Sequence, residues 1–449
     1  MDPAPNHQSS TAPSPPTPSS YLIVGAGCFG ASTALHLARS NPASASRITL
    51  VDRTPFPCPS AAAHDLNKII RSEYTDVFYM RLALEAMGVW KSDPVFSPYY
   101  HKTGILFATT REHASRIVEN YTTVAAEEGS STAPVPVETV APETASSRFD
   151  GIFSDADWDG VETCLWNADA GWGDAENALR SVISSAIALG VRYLPLAVDR
   201  LLFDQTGGCL GARTVTGLDL HAQYVILCTG ASTAKLLADS APGSPVLQIG
   251  GRMTAAAAIM GAYRVPVDQM GNFKSAPIVV KAVGDTPGES IPPGTTGLLK
   301  CTHELSFTNM VYHNGLGEDI SIPPEGPLWS TWSSAVPSQL KKETKRVMDM
   351  LYGNRLTGLV PEFHRMCWDA VTPNQDFILC PHPHAQHLFI VSGGSFHSWK
   401  FMANIGAYVE KMIKGKLDPA TAKRWAWDRS NDGGACAVYL PSRDLNDIS

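Results

Sequence analysis

The amino-acid sequence predicts an α/β protein (α+β overall) in which a parallel sheet with covering helices is joined to a second, mainly antiparallel sheet. Three observations support this prediction: a strand–turn–helix–strand unit at 21–53, a strand that ends at a Thr-Gly turn near residue 230, and a glycine-rich strand-to-helix turn near residue 393. Strands that alternate with helices favour a parallel sheet. We therefore expect one domain assembled from three separated segments and a second domain formed by the intervening blocks.

The unit at 21–53 carries the most specific signal. An apolar strand stops at Gly25, and Gly27 and Gly30 complete a G-x-G-x-x-G pattern at the start of an alanine- and leucine-rich helix. The first glycine of such a pattern permits a tight turn, the second lets the backbone approach a pyrophosphate, and the third lets the helix pack close to the strand. A second strand ends at Asp52, where a carboxylate can accept hydrogen bonds from the ribose hydroxyls. The unit predicts a Rossmann-type dinucleotide-binding domain, and both FAD and NAD fit it.

Composition and pattern divide the remaining chain. Residues 191–227 predict short strands in a meander, and apolar residues at helical spacing predict a late amphipathic helix at 338–352. The intervening blocks would place a second sheet over the reactive ring of the cofactor. The predicted divisions are a Pro- and Ser-rich disordered tail at 1–19, the nucleotide-binding domain at 20–85, 155–245 and 356–425, the substrate domain at 86–154 and 246–355, and a C-terminal tail at 426–449.

Charge and cysteine usage exclude several classes of partner. Only 17% of the 449 residues are charged and the formal net charge is -8, so we expect neither a nucleic-acid partner nor a polybasic membrane-binding patch. No apolar run approaches the roughly 18 residues of a membrane span. The nine cysteines and the lack of a secretory signal predict reduced thiols in the cytoplasm. A peroxisomal location stays open, although the Asp-Ile-Ser ending is not of the Ser-Lys-Leu type. The acidic surface is compatible with a monomer.

Four motifs in this order resemble the flavin amine oxidases typified by monomeric sarcosine oxidase, with features of the fructosyl amino acid oxidases (amadoriases). They are the glycine pattern, HDLNKIIR at 64–71, LLK at 298–300, and Cys367 followed by GGSFHSWKF at 393–401. The resemblance covers nearly all of 20–425. It implies an FAD-dependent oxidase that converts the C–N bond of a secondary amine or N-substituted amino acid to an imine, while oxygen is reduced to hydrogen peroxide.

The resemblance implies that Cys367 is bonded through its sulfur to the flavin. Such a bond forms when a thiolate attacks an electrophilic methyl group of the ring, so the reaction needs access to the ring and nearby positive charge. The neighbouring His364 and Arg365 are consistent with that chemistry. A buried structural cysteine is the alternative interpretation.

Lys68 and Arg71 lie about one helical turn apart if their segment is helical. The resemblance implies that Lys68 faces the flavin and that Arg71 binds a substrate carboxylate. Sarcosine oxidases tend to have arginine at the first of these positions, whereas lysine matches the amadoriase pattern. The alternative is a solvated pair of surface charges.

Lys300 and Lys400 complete the implied catalytic set. The resemblance implies that Lys300, at the end of an apolar strand, stabilises the negative charge that develops as oxygen accepts electrons. The alternative is an edge-strand lysine that limits aggregation. Lys400 is implied to hold the substrate carboxylate together with Arg71, because two cations suit one carboxylate. The adjacent sequence departs from the usual family pattern at three positions often filled by Gly, Gly and Phe, namely Phe396, Ser398 and Trp399.

The full set of predicted site residues follows from these motifs and the resemblance. The catalytic residues are Lys300, Lys400, Arg71 and Lys68. The cofactor-binding residues are Gly25, Gly27, Cys28, Phe29, Gly30, Asp52, Arg53, Lys68, Val198, Thr229, Gly230, Cys367, Gly394, His397 and Lys400. We predict no metal site, because the cluster near the end of the chain has no clean zinc spacing; it comprises Cys380, His382, His384 and His387.

The motifs favour more than one class of substrate. The variant GGSFHSWKF favours sarcosine-, pipecolate- or saccharopine-like amines, whereas Lys68 favours fructosyl amino acids. An N-methyl intermediate of fungal-type secondary metabolism is a third candidate. Two other classes are kept: an NAD-dependent dehydrogenase, which would release no peroxide, and a flavoprotein scaffold whose flavin no amine reduces.

Overall fold

The computed structural model describes residues 19–127, 136–326, 332–432, 434 and 440–449. The predicted disordered tail at 1–19 lies outside this part of the chain apart from Ser19, which begins the first strand. Within the described ranges, no helix is both long enough and apolar enough to cross a membrane.

The first half of the chain mixes strands and helices, whereas residues 192–227 and 254–321 contain runs of consecutive strands. In chain order the strands are β1 Ser19–Val24, β2 Ile48–Asp52, β3 Asn67–Ile70, β4 Tyr100–His101, β5 Ile105–Thr109, β6 Val137–Val140, β7 Thr163–Asn167, β8 Gly171–Asp174, β9 Arg192–Pro195, β10 Val198–Phe203, β11 Cys209–Thr214, β12 Asp219–Leu227, β13 Thr254–Arg264, β14 Ile278–Lys281, β15 Gly288–Ile291, β16 Leu298–Phe307, β17 Met310–His313, β18 Glu318–Ser321, β19 Pro361–Val371, β20 Ile378–Pro381 and β21 Leu388–Ser392. The helices are α1 Cys28–Ser40, α2 Val77–Ser92, α3 Arg111–Glu127, α4 Pro142–Ser147, α5 Ala175–Ala188, α6 Thr233–Ser240, α7 Ser338–Tyr352, α8 Ile405–Ile413 and α9 Pro419–Arg424.

The first sheet brings together strands from three distant parts of the chain. Its order is β10-β11-β12-β1-β2-β9, with β21 beside β12 and β20 beside β21. β1 pairs in parallel with both β2 and β12, and β12 pairs in parallel with β21. The strand–turn–helix–strand unit is thus confirmed as β1, α1 and β2. The meander is confirmed for β10 to β12, but β9 pairs in parallel with β2 and does not belong to it.

The central strands of this sheet are apolar on both faces because helices cover one side and further chain covers the other. Leu22, Ile23 and Val24 of β1 are all buried. Small residues of α1, including Ala31, Ala34 and Ala38, are also buried and let α5 and α8 pack closely against it. The first sheet and its helices therefore form a rigid base for the turn that follows β1.

The second sheet has the order β19-β13-β16-β15-β14-β5-β7-β6, and of these pairs only β14 with β5 is parallel. Helix α7 lies against β13, β15 and β16, and its residues Leu340, Val347 and Met348 are buried as the helical spacing predicts. Two strands from outside the blocks assigned to the substrate domain, β7 and β19, also pair here. Strand β19 therefore carries Cys367 on the second sheet.

A third, three-stranded sheet corrects the helical interpretation of HDLNKIIR. Residues 67–70 form β3, which pairs antiparallel with β8 so that Lys68 lies opposite Gly173. The two isoleucines of this segment are β-branched and fit a strand better than a helix. The one-turn spacing assumed for Lys68 and Arg71 was wrong, since the chain is extended here.

Candidate active site

A cavity of about 520 Å³ opens at the carboxyl ends of β1, β2 and β12. Val24 and Gly25 from β1, Asp52 from β2 and Thr229 after β12 all contribute to its lining. Open parallel sheets bind ligands at this edge, where the strand order reverses. The cavity is therefore the expected place for a dinucleotide.

The glycine turn has the geometry that a pyrophosphate needs. Gly25 has φ +99°, and a Cβ there would lie 2.4 Å from the carbonyl oxygen of Cys228. A Cβ on Gly30 would lie 1.8 Å from the carbonyl oxygen of Gly25, so Gly30 is required for packing. Gly27 differs, because its Cβ would meet only Ala63, at 3.9 Å, and Gly27 itself lines the cavity. The backbone at Gly27 thus forms an open cradle for a ligand.

Helix α1 begins directly at this cradle. Gly27 is its N-cap and has no side chain that could accept a hydrogen bond from the first turn. The free N–H groups and the helix dipole therefore point at the cavity and favour a phosphate. Asp52 accepts hydrogen bonds from the backbone N–H groups of Ala26 (2.8 Å) and Arg53 (2.7 Å), which hold its carboxylate at the rim. These residues fit the pyrophosphate and a ribose of FAD.

Most of the predicted cofactor-binding residues line the large cavity, two line only a smaller neighbouring cavity, and two line neither. Gly30 packs behind Gly25, Gly394 packs against Asp369 and Ser398, and neither lines the large cavity. His397 and Lys400 line the smaller one. The predicted residues that do line the large cavity are Gly25, Gly27, Cys28, Phe29, Asp52, Arg53, Lys68, Val198, Thr229, Gly230 and Cys367.

The smaller cavity, of about 110 Å³, adjoins the large one and shares four lining residues with it, Lys68, Cys367, Phe396 and Trp399. Its lining is rich in charge. The charged residues found only there are Asp65, Arg71, Glu289, Lys300, Glu304 and Lys400. All four predicted catalytic residues therefore meet at one cavity beside the cofactor site.

Cys367 lies where the two cavities join, and Lys68 is its basic neighbour. The Lys68 ammonium is 3.5 Å from the thiol sulfur. His364 does not serve this purpose, because burial, followed by the charge of Lys341, lowers its pKa to about 4 and leaves the ring neutral near pH 7. The guanidinium of Arg365 lies over the ring of Trp332, 5.1 Å from its centroid. The positive charge expected near the thiol thus comes from a residue 299 positions away.

A buried carboxylate, Asp65, joins two of the predicted catalytic lysines. Its Oδ2 lies 2.8 Å from Nζ of Lys68 and 2.8 Å from Nζ of Lys300. Lys300 also donates to the backbone carbonyl of Asn67 at 2.9 Å. Burial alone would raise the pKa of Asp65, but Lys300 and then Lys68 outweigh burial and hold it well below its usual range. Asp65 is therefore ionised near neutral pH.

Lys400 begins a buried chain of hydrogen bonds. Its Nζ donates to the hydroxyl of Tyr74 at 2.8 Å and to the carbonyl of His397 at 2.8 Å. The Tyr74 hydroxyl lies 3.1 Å from Nδ1 of His397, whose Nε2 lies 2.8 Å from the carbonyl of Gln375. Burial and then Lys400 lower the pKa of His397 to about 3, so the ring is neutral. This assigns the proton to Nε2 and makes Nδ1 the acceptor from Tyr74.

Arg71 lies beside Lys400. Its guanidinium carbon is 5.1 Å from the centroid of the Tyr74 ring, and Nζ of Lys400 is 5.2 Å from the same centroid. Arg71 also donates to the backbone carbonyl of Glu73. Burial, followed by the charge of Arg71, lowers the pKa of Lys400 well below its usual value. A ligand carboxylate would supply the missing counter-charge, relieve the repulsion between Arg71 and Lys400 and stabilise the charged form of Lys400.

Among the site residues that the sequence did not predict are Asp65, Tyr74, Glu289 and Glu304. Strand alternation could have found Glu304, because Lys300, Thr302 and Glu304 share one face of β16 and all line the smaller cavity. The intervening His303 points to the other face, where its Nδ1 lies 2.9 Å from the Glu343 carboxylate. The other three carry no local signal.

Comparison with known proteins agrees with this geometry. Residues 20–412 match the family described as FAD dependent oxidoreductase (DAO). L-saccharopine oxidase of Schizosaccharomyces pombe is 26% identical, over 95% of this chain and 96% of the relative. An amino acid oxidase of Aspergillus flavus is 26% identical over 90% of this chain and 95% of the relative. The structure of a deglycating fructosamine oxidase of Aspergillus fumigatus (Amadoriase II) superposes with a TM-score of 0.78 at 26% identity and covers 96% of both chains.

Proposed function

The chain belongs to the FAD dependent oxidoreductase family, and from that premise we propose that it is an oxidase of secondary amines, with N-substituted amino acids as substrates. One observation carries the proposal. A cavity that fits FAD adjoins a second cavity in which Arg71 and Lys400 converge. In the large cavity, Gly25 and Gly27 accommodate the pyrophosphate, and Asp52 binds the ribose.

When bound, FAD accepts the hydride equivalent from the carbon next to nitrogen and supplies the electrons that oxygen takes up. The protein's own residues bind and orient the substrate. Arg71 and Lys400 hold its carboxylate, and the Tyr74 hydroxyl holds Lys400 in place by accepting a hydrogen bond. The buried Lys400 gains a counter-charge when the carboxylate binds, which favours binding over an uncharged analogue.

We further propose that the flavin is joined covalently to Cys367. The sulfur lies on the border of both cavities, and the Lys68 ammonium at 3.5 Å stabilises a thiolate there. Lys300, on β16, supplies the fixed positive charge for oxygen reduction.

The two glutamates favour one part of the substrate range. Glu289 and Glu304 line the same small cavity as the two cations, on adjacent strands β15 and β16 in which Glu289 pairs with Thr302. Carboxylates at this place suit a substrate that carries a second ammonium group beyond the reacting amine. A saccharopine-like amine has one, whereas sarcosine and pipecolate do not.

A deglycating oxidase is the alternative, because carboxylates also accept hydrogen bonds from sugar hydroxyls. Lys68 at the amadoriase position and the superposition on Amadoriase II favour this second candidate. The two candidates differ in the group that lies beside Glu289 and Glu304: an ammonium in the first and hydroxyls in the second.

Anaerobic mixing tests the proposal. The purified flavoprotein is mixed with sarcosine, L-pipecolate, L-saccharopine and fructosyl-glycine, and the visible flavin absorbance is followed. We expect bleaching by L-saccharopine, reversed by air with release of peroxide. Bleaching by fructosyl-glycine alone would select the alternative. A flavin that no amine bleaches but that dithionite reduces would contradict the amine oxidase.

A further inference from the structure

Asp65 has no role in the glycine turn or in the pair of cations that binds the substrate carboxylate. It is nevertheless the most buried charged group of the site, with a side chain 1% exposed. One of its two oxygens, Oδ2, contacts both the Lys68 and the Lys300 ammonium, each at 2.8 Å. One carboxylate thus links the lysine beside Cys367 to the lysine on β16.

We propose that Asp65 is a positioning residue that fixes the ammonium groups of Lys68 and Lys300 at the junction of the two cavities, so that both face the cofactor site. The inference rests on the proposed function, in which these two lysines act on the flavin and on oxygen. It adds a residue that does not touch the reacting atoms but decides where two cations lie.

The charge balance around Asp65 supports this role. Besides the two lysines, the charge of Arg365 acts on Asp65 from further away. Asp65 therefore contacts two cations directly and faces the charge of a third. Without it, two ammonium groups would lie close together in a buried place with no counter-ion between them, which strongly disfavours their charged state.

Lys300 has a second hydrogen-bond acceptor besides Asp65, and comparing the two shows what Asp65 contributes. Lys300 also donates to the backbone carbonyl of Asn67, which belongs to the same segment as Asp65. Two acceptors fix the direction of the ammonium, and a carbonyl alone leaves it without a charged partner. Removing Asp65 would therefore let the Lys300 ammonium move, and the fixed charge for oxygen reduction would weaken.

The same argument applies to Lys68. Burial by itself lowers the pKa of Lys68, but the Asp65 carboxylate, and Cys367 to a smaller degree, outweigh burial and raise it. A lysine that stays charged beside the sulfur of Cys367 is what the covalent attachment of the flavin needs. Asp65 therefore supports both steps through one oxygen atom.

Asp65→Asn tests the proposal without any amine substrate. The flavin of the holoenzyme is reduced with dithionite or by light and mixed with oxygenated buffer, and reoxidation is followed by absorbance. We expect reoxidation to slow by roughly tenfold or more, since a preorganised charge is lost. Because no amine is present, failure of the amine oxidase proposal would leave this test unaffected.

Glu343→Gln is the matched control. Glu343 is also a buried carboxylate with two partners, Arg443 at 2.7 Å and His303 at 2.9 Å, but it lines neither cavity. Both variants should lose thermal stability, and only Asp65→Asn should slow reoxidation and change the flavin midpoint potential. Equal reoxidation rates in the two variants would overturn the proposal.

A double-mutant cycle with Lys300→Met separates positioning from general damage. If Asp65 acts through Lys300, adding Asp65→Asn to Lys300→Met should slow reoxidation by less than twofold further. Full multiplication of the two effects would overturn that route. Should Asp65→Asn fail to fold, Asp65→Glu retains the charge but displaces it by one methylene. It should fold and reoxidise more slowly than the wild type, and a wild-type rate would contradict the positioning role.

Discussion

Nζ of Lys68 lies 3.5 Å from Sγ of Cys367, although β3 and β19 belong to different sheets. The contact places a cation against the thiol at the junction of the two cavities. It gives the expected flavin linkage a specific chemical reason, because a nearby ammonium favours the thiolate.

The first prediction concerns that linkage. Acid-precipitated wild-type protein should stay yellow, whereas Cys367→Ala should release its flavin into the supernatant. Lys68→Met should slow the attachment of added FAD to flavin-free protein by roughly tenfold or more, as expected when a thiolate loses its cation. Cys164→Ala is the matched control, since Cys164 is buried in the same sheet but lines neither cavity. Colour that is released equally from all variants would contradict the linkage.

The second prediction compares two glycines of one turn. Gly27→Ala should leave the thermal stability of the flavin-free protein nearly unchanged, because its Cβ would meet only Ala63 at 3.9 Å. It should weaken FAD binding by about tenfold or more, since a methyl group would occupy the pyrophosphate cradle. Gly30→Ala should lower stability itself, because its Cβ would overlap the carbonyl of Gly25. Calorimetry and FAD titration distinguish the two, and equal loss of stability would refute this assignment.

The third prediction concerns the carboxylate site. Lys400→Met should lower kcat/KM for a carboxylate substrate by about 100-fold, the usual effect of truncating one side of a buried charge pair. Tyr74→Phe, which removes one of the two acceptors of the Lys400 ammonium, should have a smaller effect in the same direction. The amide analogue of the substrate should be affected much less by either change. The exposed Lys345→Met serves as the control, and equal loss for acid and amide would exclude a carboxylate clamp.

The fourth prediction concerns pH and stability. Burial alone would raise the pKa of Glu343, but Arg443 and His303 outweigh burial and lower it from 4.5 to about 2. The unfolded state therefore binds more protons between these values, and stability falls as pH drops from 4.5 towards 2. Above pH 4.5 the contribution is complete, at about 3 kcal/mol. In urea unfolding, Glu343→Gln should differ most from wild type at neutral pH, and the difference should shrink near pH 2. A difference that does not vary with pH would contradict this.

The fifth prediction concerns Phe396, which lines both cavities and has φ +61°, a left-handed conformation that is costly for an aromatic residue. Its backbone N–H donates to Asp369 at 2.8 Å and holds it there. Phe396→Gly should accept the conformation without strain and open the wall between the cavities. We expect kcat/KM for bulky amines to rise relative to small ones. An unchanged ratio would show that Phe396 does not shape the pocket.

Much of the fold was predictable because its signals are local. The turn at Gly25 and Gly27, the helix α1 and the strand that ends at Asp52 follow from apolar periodicity and from glycine conformations within one short segment. Helix α7 is predictable for the same reason, with its buried stripe at helical spacing. The positions of the catalytic cations along the chain came from motif resemblance and not from periodicity.

The sequence by itself therefore determined the dinucleotide-binding unit and which residues carry charge towards the site. Only the tertiary structure decided which strand this segment joins, because the pairing of β3 with β8, which sets Lys68 opposite Gly173, has no local signal. It also decided that Asp65 meets Lys300 across 235 positions and that Tyr74 meets His397 across 323. Such contacts depend on how whole sheets pack, because the burial of many apolar residues sets the register of the strands. That register then decides which polar side chains lie close enough to form hydrogen bonds.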